Sequence, residues 1–177
     1  MYVDASDACN VMSFHLSGTG TRSWEIKVTQ LKCNFNNLAP SGCTQYFFGK
    51  TDGTITSFNF VGGLHLASQN QNICIRREEN HCQICYSAAD NEFDVSSMLA
   101  ANKAVLGKSG SCCGFGADGM KTVGYDCVII PGASKKAGDD LKGSEFCGRQ
   151  LGTAMSGAEV AAATVCCKFT LAVYEAK

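Results

Sequence analysis

The sequence predicts an all-β fold, namely a disulfide-rich antiparallel β-sandwich with one or two short helices. Three observations support this fold class: runs in which apolar and polar residues alternate, turn residues about every 8 to 12 positions, and twelve cysteines in 177 residues. Alternation indicates strands because successive side chains of a strand point to opposite faces of the sheet. The turns are marked mainly by glycine, which occurs 19 times, whereas proline occurs only twice.

Alternating runs predict the strands in chain order. In the first run, Trp24, Ile26 and Val28 would share one face, with charged residues between them. The second run follows the turn signal Asp52-Gly53. The strands predicted in this way occupy residues 24–28, 54–60, 73–75, 84–86, 123–130 and 167–173. Many short strands at such spacing favour a sandwich or barrel.

Two alanine-rich stretches, residues 97–106 and 158–165, are predicted to form the short helices, because alanine has the highest helix propensity. Each stretch is shorter than about 12 residues, so packing decides whether the helix forms. Between them, residues 107–121 combine several glycines with two cysteines. This composition predicts a long loop held by cysteine bridges.

Charge and hydropathy argue against two classes of partner. Fifteen Lys and Arg are balanced by 16 Asp and Glu, which gives a formal net charge of −1, whereas binding to nucleic acid needs a basic surface. No apolar run approaches the roughly 20 residues of a membrane-spanning helix. The sequence therefore predicts a globular protein with neither a nucleic-acid partner nor a membrane span.

The cysteines form an even set that allows six disulfides, a usage typical of an oxidising, extracellular compartment. They are Cys9, Cys33, Cys43, Cys74, Cys82, Cys85, Cys112, Cys113, Cys127, Cys147, Cys166 and Cys167. Residues 1–6 do not have the pattern of a secretory signal peptide. We therefore expect a secreted protein in which Met1 is not the initiator, so that the chain would be a processed product or a segment of a longer precursor.

Two features of the cysteine pattern bear on chemistry. Cys82 and Cys85 form a C-x-x-C, which zinc and thiol redox sites use. The residues around this motif alternate as in a strand, however, so structural disulfides are the favoured interpretation. In the adjacent pairs 112–113 and 166–167, one member is expected to enter the core while the other bridges to an outer loop, with each member forming its own disulfide.

Acidic residues provide the candidate metal site. Asp90, Glu92 and Asp94 occupy alternate positions, and Asp126 interrupts a predicted strand. Carboxylate oxygens that converge from loops bind Ca²⁺, and the alternative is a solvated face of isolated carboxylates. We predict no catalytic residues, because no Gly-x-Ser-x-Gly motif is present to anchor a nucleophilic triad.

Several motifs together resemble those of a known family. They are GTITSFNF at 53–60, NICIR at 72–76, YDCVIIPG at 125–132, FCG at 146–148 and the closing strand at 169–174. Residues 43–148 thereby resemble a CUB domain, an extracellular β-sandwich of jelly-roll type. WEIKVTQ at 24–30 and APSGCTQY at 39–46 are most similar to the divergent CUB-domain proteins of arthropods. By this resemblance, residues 1–31 are terminal strands of a preceding CUB-like domain or an N-terminal extension, and residues 32–177 are a CUB-like domain.

The resemblance implies two disulfides and a calcium site. The first disulfide joins Cys43 to Cys74. The second joins Cys147 to one of three cysteines, Cys112, Cys113 or Cys127. Asp94 and Asp126 match two acidic positions of calcium-binding members, and the closing strand offers no aspartate for the third. We therefore expect no cofactor, with calcium as the single candidate.

The resemblance and the cysteine content predict a secreted, non-enzymatic binding or adhesion module that contacts a protein partner. One alternative is a structural subunit that self-associates into an extracellular assembly or fibre by strand pairing between chains. Another is a metal or redox protein centred on Cys82 and Cys85. Exposed loop tips are where a sandwich presents binding groups. The candidate binding residues are Arg76, Arg77, Glu78, Glu79, Phe115 and Lys121.

Overall fold

The fold is defined by a computed structural model of the chain. The structure describes residues 1–61, 69–88, 92–95, 104–107, 113, 126–135, 144–148, 151, 164–168 and 175–176. Within these ranges the chain has nine strands and no helix. The predicted all-β fold class is therefore confirmed.

The strands are short, between two and five residues. They are β1 (Gln45–Phe47), β2 (Gln71–Ile75), β3 (Gln83–Tyr86), β4 (Ala104–Gly107), β5 (Val128–Ile129), β6 (Ala133–Lys135), β7 (Glu145–Gly148), β8 (Val165–Lys168) and β9 (Glu175–Ala176). They form three sheets of three strands, with strand orders β1-β2-β9, β3-β8-β6 and β4-β7-β5.

Antiparallel pairing dominates the three sheets, as the sequence predicts. The exception is β1, which runs parallel to β2 with Tyr46 opposite Cys74, whereas the other pairs between described strands are antiparallel. A parallel pair needs a long crossover, and the chain between Phe47 and Gln71 provides it. The parallel pair brings the ends of β1 and β2 to the same side of the sheet.

The hydrophobic core draws residues from all three sheets. Its largest fully buried side chain is Phe146 of β7. The buried residues packed together in this core are Ile130, Ala133, Phe146, Leu151, Val165 and Cys167. Partly buried side chains of β2 and β3 cover it, among them Ile73, Ile75 and Ile84. The core therefore ties β2, and with it the first sheet, to the other two sheets.

Two of the predicted strands are confirmed and two are wrong. Residues 73–75 and 84–86 lie in β2 and β3. Residues 24–28 form no strand, because their apolar side chains are exposed and their backbone has no hydrogen-bonded partner among the described residues. Residues 54–60 instead end in a turn, in which the Phe60 amide donates to the Ser57 carbonyl. Alternation alone does not supply a partner strand.

The remaining predicted strands are described in part. Residues 128–129 form β5 and residues 165–168 form β8, so each predicted run contains a strand at one end. The other residues of these two runs lie largely outside the described ranges. The placement of residues 1–31 in a preceding domain or an extension stays a prediction, although the structure assigns no strand to them.

The predicted helices are wrong where the structure describes them. Residues 104–106 of the first stretch lie in β4, paired with β7, and Val165 of the second begins β8. The rest of both stretches lies outside the described residues. Strand pairing in the sheets decides the conformation at these ends, because alanine propensity is a weak preference that tertiary contacts override.

Three disulfides are described in full: Cys43–Cys74, Cys85–Cys166 and Cys113–Cys127. The first is the pair that the family resemblance implies. Cys147 is also disulfide-bonded, and two of its three expected partners are excluded because Cys113 and Cys127 bond to each other. Its partner lies outside the described residues, as does Cys112.

The expectation of six disulfides differs from the structure at four positions, where the thiols are free: Cys9, Cys33, Cys82 and Cys167. The first three are exposed and have no bridging partner. Cys167 is fully buried, because neighbouring residues of β8 point to opposite faces: Cys166 bridges to Cys85 while Cys167 packs in the apolar core. Burial also raises the pKa of the Cys167 thiol.

Candidate functional site

An aromatic and charged cluster lies where β1 and β2 end. We call it the Arg76 patch and define it by Tyr2, Tyr46, Phe48, Arg76 and Glu78. Tyr46 and Phe48 are two residues apart and so lie on the same face of the β1 segment. Arg76 follows β2, and its backbone amide donates to the Phe47 carbonyl at 2.9 Å, which extends the parallel pairing by one step.

The Arg76 guanidinium is held on three sides. It makes a two-pronged pair with Glu78, with Nε 3.0 Å from Oε1 and Nη2 3.2 Å from Oε2. Nη1 donates to Oδ1 of Asn37 at 3.0 Å. The guanidinium carbon lies 5.1 Å from the ring centroid of Phe48, within cation–π range. These contacts fix the orientation of a side chain that otherwise has many rotamers.

Three aromatic rings continue from Arg76 in a row. The Phe48 and Tyr46 ring centroids are 5.1 Å apart, and Tyr46 meets Tyr2 edge-on at 6.5 Å. The Tyr2 amide donates to the Thr44 carbonyl at 2.8 Å, which places the start of the chain beside β1. Each ring is only partly buried. The row therefore offers partly exposed apolar surface next to the Arg76 guanidinium.

Hydrogen bonds stabilise the charged forms of the acidic groups around the patch. The Arg76 guanidinium, and then the Gly49 amide at 2.6 Å, lower the pKa of the Glu78 carboxyl. The same Glu78 carboxylate raises the pKa of Arg76. Nearby, the Ser41 hydroxyl and the Gly42 amide lower the pKa of Asp4. The ion pair is therefore fully formed at neutral pH and is close to neutral overall.

The lowered pKa of Glu78 predicts how stability depends on pH. Glu78→Gln should be less stable than the native protein at neutral pH, because the Arg76 contact is weakened. The difference should persist above about pH 4.5, the ordinary value for this carboxyl, and shrink as the pH falls through the lower folded-state pKa. Urea unfolding at a series of pH values measures it. Glu79→Gln is the matched control, and an equal effect there would contradict the assignment to Glu78.

A match to a protein-family model shows to which family the chain belongs. The family model of the animal CUB domain matches residues 40–173, well over half of the chain. The chain belongs to the CUB-domain family. No curated protein and no solved structure gives a significant match. The resemblance to CUB domains is thus confirmed at the level of the family, and the likeness to the arthropod group stays a prediction.

The Arg76 patch lies mostly within the CUB domain. β1, β2, Arg76 and Glu78 fall inside the matched residues. Tyr2 lies before them, as does Asn37, the hydrogen-bond partner of Arg76. The structure thus brings two of the predicted binding residues together. Arg77 and Glu79 are exposed beside them, in the alternate positions. Phe115 and Lys121 lie outside the described residues.

The aromatic members of the patch are absent from the sequence prediction. The sequence carried a local signal for Tyr46 and Phe48, because these two aromatic residues occupy alternate positions shortly before the CUB motif at residues 53–60. Tyr2 had none, since its contact with Tyr46 joins residues 44 positions apart in a chain whose fold brings them together.

The calcium prediction for the CUB domain remains a prediction. Asp94 and Asp126 are both exposed. Among the residues that the structure describes, no three His, Cys, Asp or Glu side chains form a group that could hold a metal ion. Asp90 lies outside those residues. No helix in the described part of the chain is long and apolar enough to cross a membrane.

The C-x-x-C motif of the CUB domain does not form a local pair. Cys85 bonds to Cys166 across the β3–β8 pairing, and Cys82 is an exposed free thiol just before β3. A zinc site needs both sulfurs as thiolates, and a dithiol redox site needs the two cysteines to be able to bond to each other. The observed bridge therefore assigns Cys85 a structural role.

Proposed function

We propose that this chain is a secreted, non-enzymatic CUB module that binds a protein partner through the Arg76 patch. Family membership supports a binding role, because CUB domains are in general extracellular binding modules without enzymatic activity. The described disulfides support an oxidising compartment. We choose the Arg76 patch as the binding surface because it lies at the ends of two paired strands.

The composition of the patch suits a protein partner. Tyrosine and arginine are enriched among the residues that dominate binding energy in protein interfaces. Arg76 is already oriented by Glu78, Asn37 and Phe48, so little side-chain freedom is lost on binding. Because Arg76 and Glu78 neutralise each other, the partner surface needs no strong opposite charge. We therefore expect binding that depends only weakly on salt.

Variants of the patch test this function. The full chain, labelled with a fluorophore, is applied to an array of purified extracellular proteins, and dissociation constants are measured for those that bind. Arg76→Ala and Tyr46→Ala should each weaken binding about tenfold or more, as expected for residues at the centre of an interface. Arg77→Ala is the matched control, because Arg77 is the neighbouring exposed arginine.

The outcomes distinguish binding at the Arg76 patch from binding at another surface of the domain. Thermal unfolding of each variant shows whether the fold is retained. A saturable partner that folded Arg76→Ala and Tyr46→Ala bind as tightly as the native chain would contradict the patch. Loss of binding in Arg77→Ala alone would move the site to the opposite face of the same segment.

A second candidate function is that of a self-associating subunit of an extracellular assembly. It is favoured by the exposure of large apolar side chains along residues 1–38, where Val3, Val11 and Trp24 are each more than half exposed. Exposed apolar surface on this scale is typical of an interaction site. Val3, Val11 and Trp24 are not members of the Arg76 patch, so one chain can combine both functions.

A further inference from the structure

The segment before the CUB domain contains two short amphipathic runs. We call residues 11–28 the N-terminal arm. In its first run, Met12, Phe14 and Leu16 alternate with polar residues, and in its second run, WEIKV at 24–28, the apolar residues alternate with Glu25 and Lys27. Each run has the pattern of a strand with one apolar face.

The two runs fold back on each other. The Phe14 and Trp24 rings stack, with centroids 5.9 Å apart and planes inclined at 28°. Between them, the Arg22 guanidinium donates to the carbonyls of Ser17 and Gly18, and Gly18 has a positive φ of 82°. A left-handed glycine suits this reversal because it has no Cβ to clash. The arm is thus bent so that both apolar runs lie near one another.

The apolar side chains of the arm are uncovered. Between 52% and 73% of each is exposed, for Met12, Phe14, Leu16, Trp24, Ile26 and Val28. The backbone of residues 24–28 has no hydrogen-bonded partner among the described residues. The second run of the arm therefore has both a backbone without a hydrogen-bonded partner among the described residues and an apolar surface for a partner to cover.

We propose that the arm pairs with the same arm of a second copy of this chain, through antiparallel strands centred on Ile26. In this register Glu25 faces Lys27 of the second copy, and Lys27 faces its Glu25. Trp24 faces Val28 in the same way, and Ile26 faces its own counterpart. Opposite charges and large apolar residues directly across an antiparallel pair are both stabilising. A shift of the register by one residue loses the charge match.

The symmetry of the pattern selects a second copy over an unrelated partner. An interface with two-fold symmetry requires a self-complementary surface, in which each residue meets its symmetry-related partner. The charge order of WEIKV meets this requirement.

Charge reversal tests the register. Sedimentation velocity on the full chain, from 1 to 100 µM, should show a native dimer. Glu25→Lys places lysine opposite Lys27 at two symmetric positions, and Lys27→Glu places two glutamates opposite each other. Each single variant should dimerise about tenfold to a hundredfold more weakly. Lys32→Glu, a charge reversal outside the paired run, is the matched control and should leave the dimer unchanged.

Two further samples make the test specific. The double variant Glu25→Lys with Lys27→Glu restores the opposite charges and should restore the native dimerisation constant. An equimolar mixture of the two single variants should also dimerise, because the two lysines of one variant then face the two glutamates of the other. Recovery in both samples supports the register, since a change that merely disturbs the arm would not be reversed in this way.

This inference rests on the second proposed function, and the outcomes separate the two. A strict monomer for the native chain at 100 µM would overturn both the pairing and the assembly function. A native dimer that the single variants retain in full would overturn the register alone and leave self-association standing. Failure of the double variant and of the mixture to recover the dimer would likewise overturn the register.

Discussion

Replacing both cysteines of the Cys85–Cys166 bridge by alanine is expected to lower the free energy of unfolding by about 4 to 5 kcal/mol. A disulfide stabilises mainly by restricting the unfolded chain, and the effect grows with the length of the closed loop. The sequence separations are 81, 31 and 14 residues for Cys85–Cys166, Cys43–Cys74 and Cys113–Cys127. They correspond to losses of about 4.5, 3.7 and 3 kcal/mol.

The position of this bridge in the fold adds to its importance. Cys85 and Cys166 lie directly opposite each other in the β3–β8 pairing, and Cys166 is fully buried. β8 also pairs with β6, so it is the central strand of its sheet. Loss of the bridge therefore weakens a strand that packs on both sides and carries the core residues Val165 and Cys167.

Urea unfolding without reductant, followed by circular dichroism, measures the loss. The same experiment on Cys113→Ala with Cys127→Ala should give the smaller loss expected for the shortest loop. Cys82→Ala is the single-site control, because this thiol is free and exposed, and it should change stability by less than about 0.5 kcal/mol. A larger loss for the 113–127 variant than for the 85–166 variant would contradict the ranking by loop length.

The fold class could be predicted from the sequence because its signals are local. Alternation at residues 73–75 and 84–86 coincides with strands whose apolar side chains reach the core. The same alternation at residues 24–28 has no neighbouring strand within the described chain, so the pattern there indicates amphipathicity without pairing. Whether a partner strand is available depends on the whole fold and is not encoded in five residues.

Cysteine pairing shows the same limit. An even count of cysteines permits complete pairing without requiring it, and Cys167 stays a thiol because its side chain faces the core. The vicinal pair 166–167 could be predicted to split between a bridge and the core, since adjacent strand residues face opposite ways. The partner of each cysteine depends on strand register, which no spacing in the sequence specifies.

The Arg76 patch could be predicted only in its charged half. Arg76 and Glu78 are two residues apart, so their meeting follows from local geometry on one face of an extended segment. Their contacts with Phe48 and Asn37 require the parallel pairing of β1 with β2 and the path of the chain before β1. These are contacts between distant residues, and the sequence pattern carries no signal for them.

Truncating the central core residue, in Phe146→Ala, is expected to destabilise the domain by about 3 to 5 kcal/mol. Phe146 has no exposed surface and packs among Ile130, Val165 and Cys167. Removing the ring loses its burial and leaves a cavity that the surrounding strands fill only in part. Urea unfolding measures the loss, and Phe60→Ala, at a phenylalanine that is 42% exposed, should cost much less.

The register of β7 explains why this position has so large an expected effect. Phe146 lies opposite Leu106 of β4 on one side and Val128 of β5 on the other, so its strand is the centre of the sheet. Cys147, the next residue, faces away into a second cluster with Cys127 and is disulfide-bonded. A loss below about 1 kcal/mol would mean that the bridge at Cys147, not the ring of Phe146, holds β7 in place. If Phe146→Ala shows the expected destabilisation but still binds the partner at temperatures where it is folded, the core supports the Arg76 patch without forming part of it.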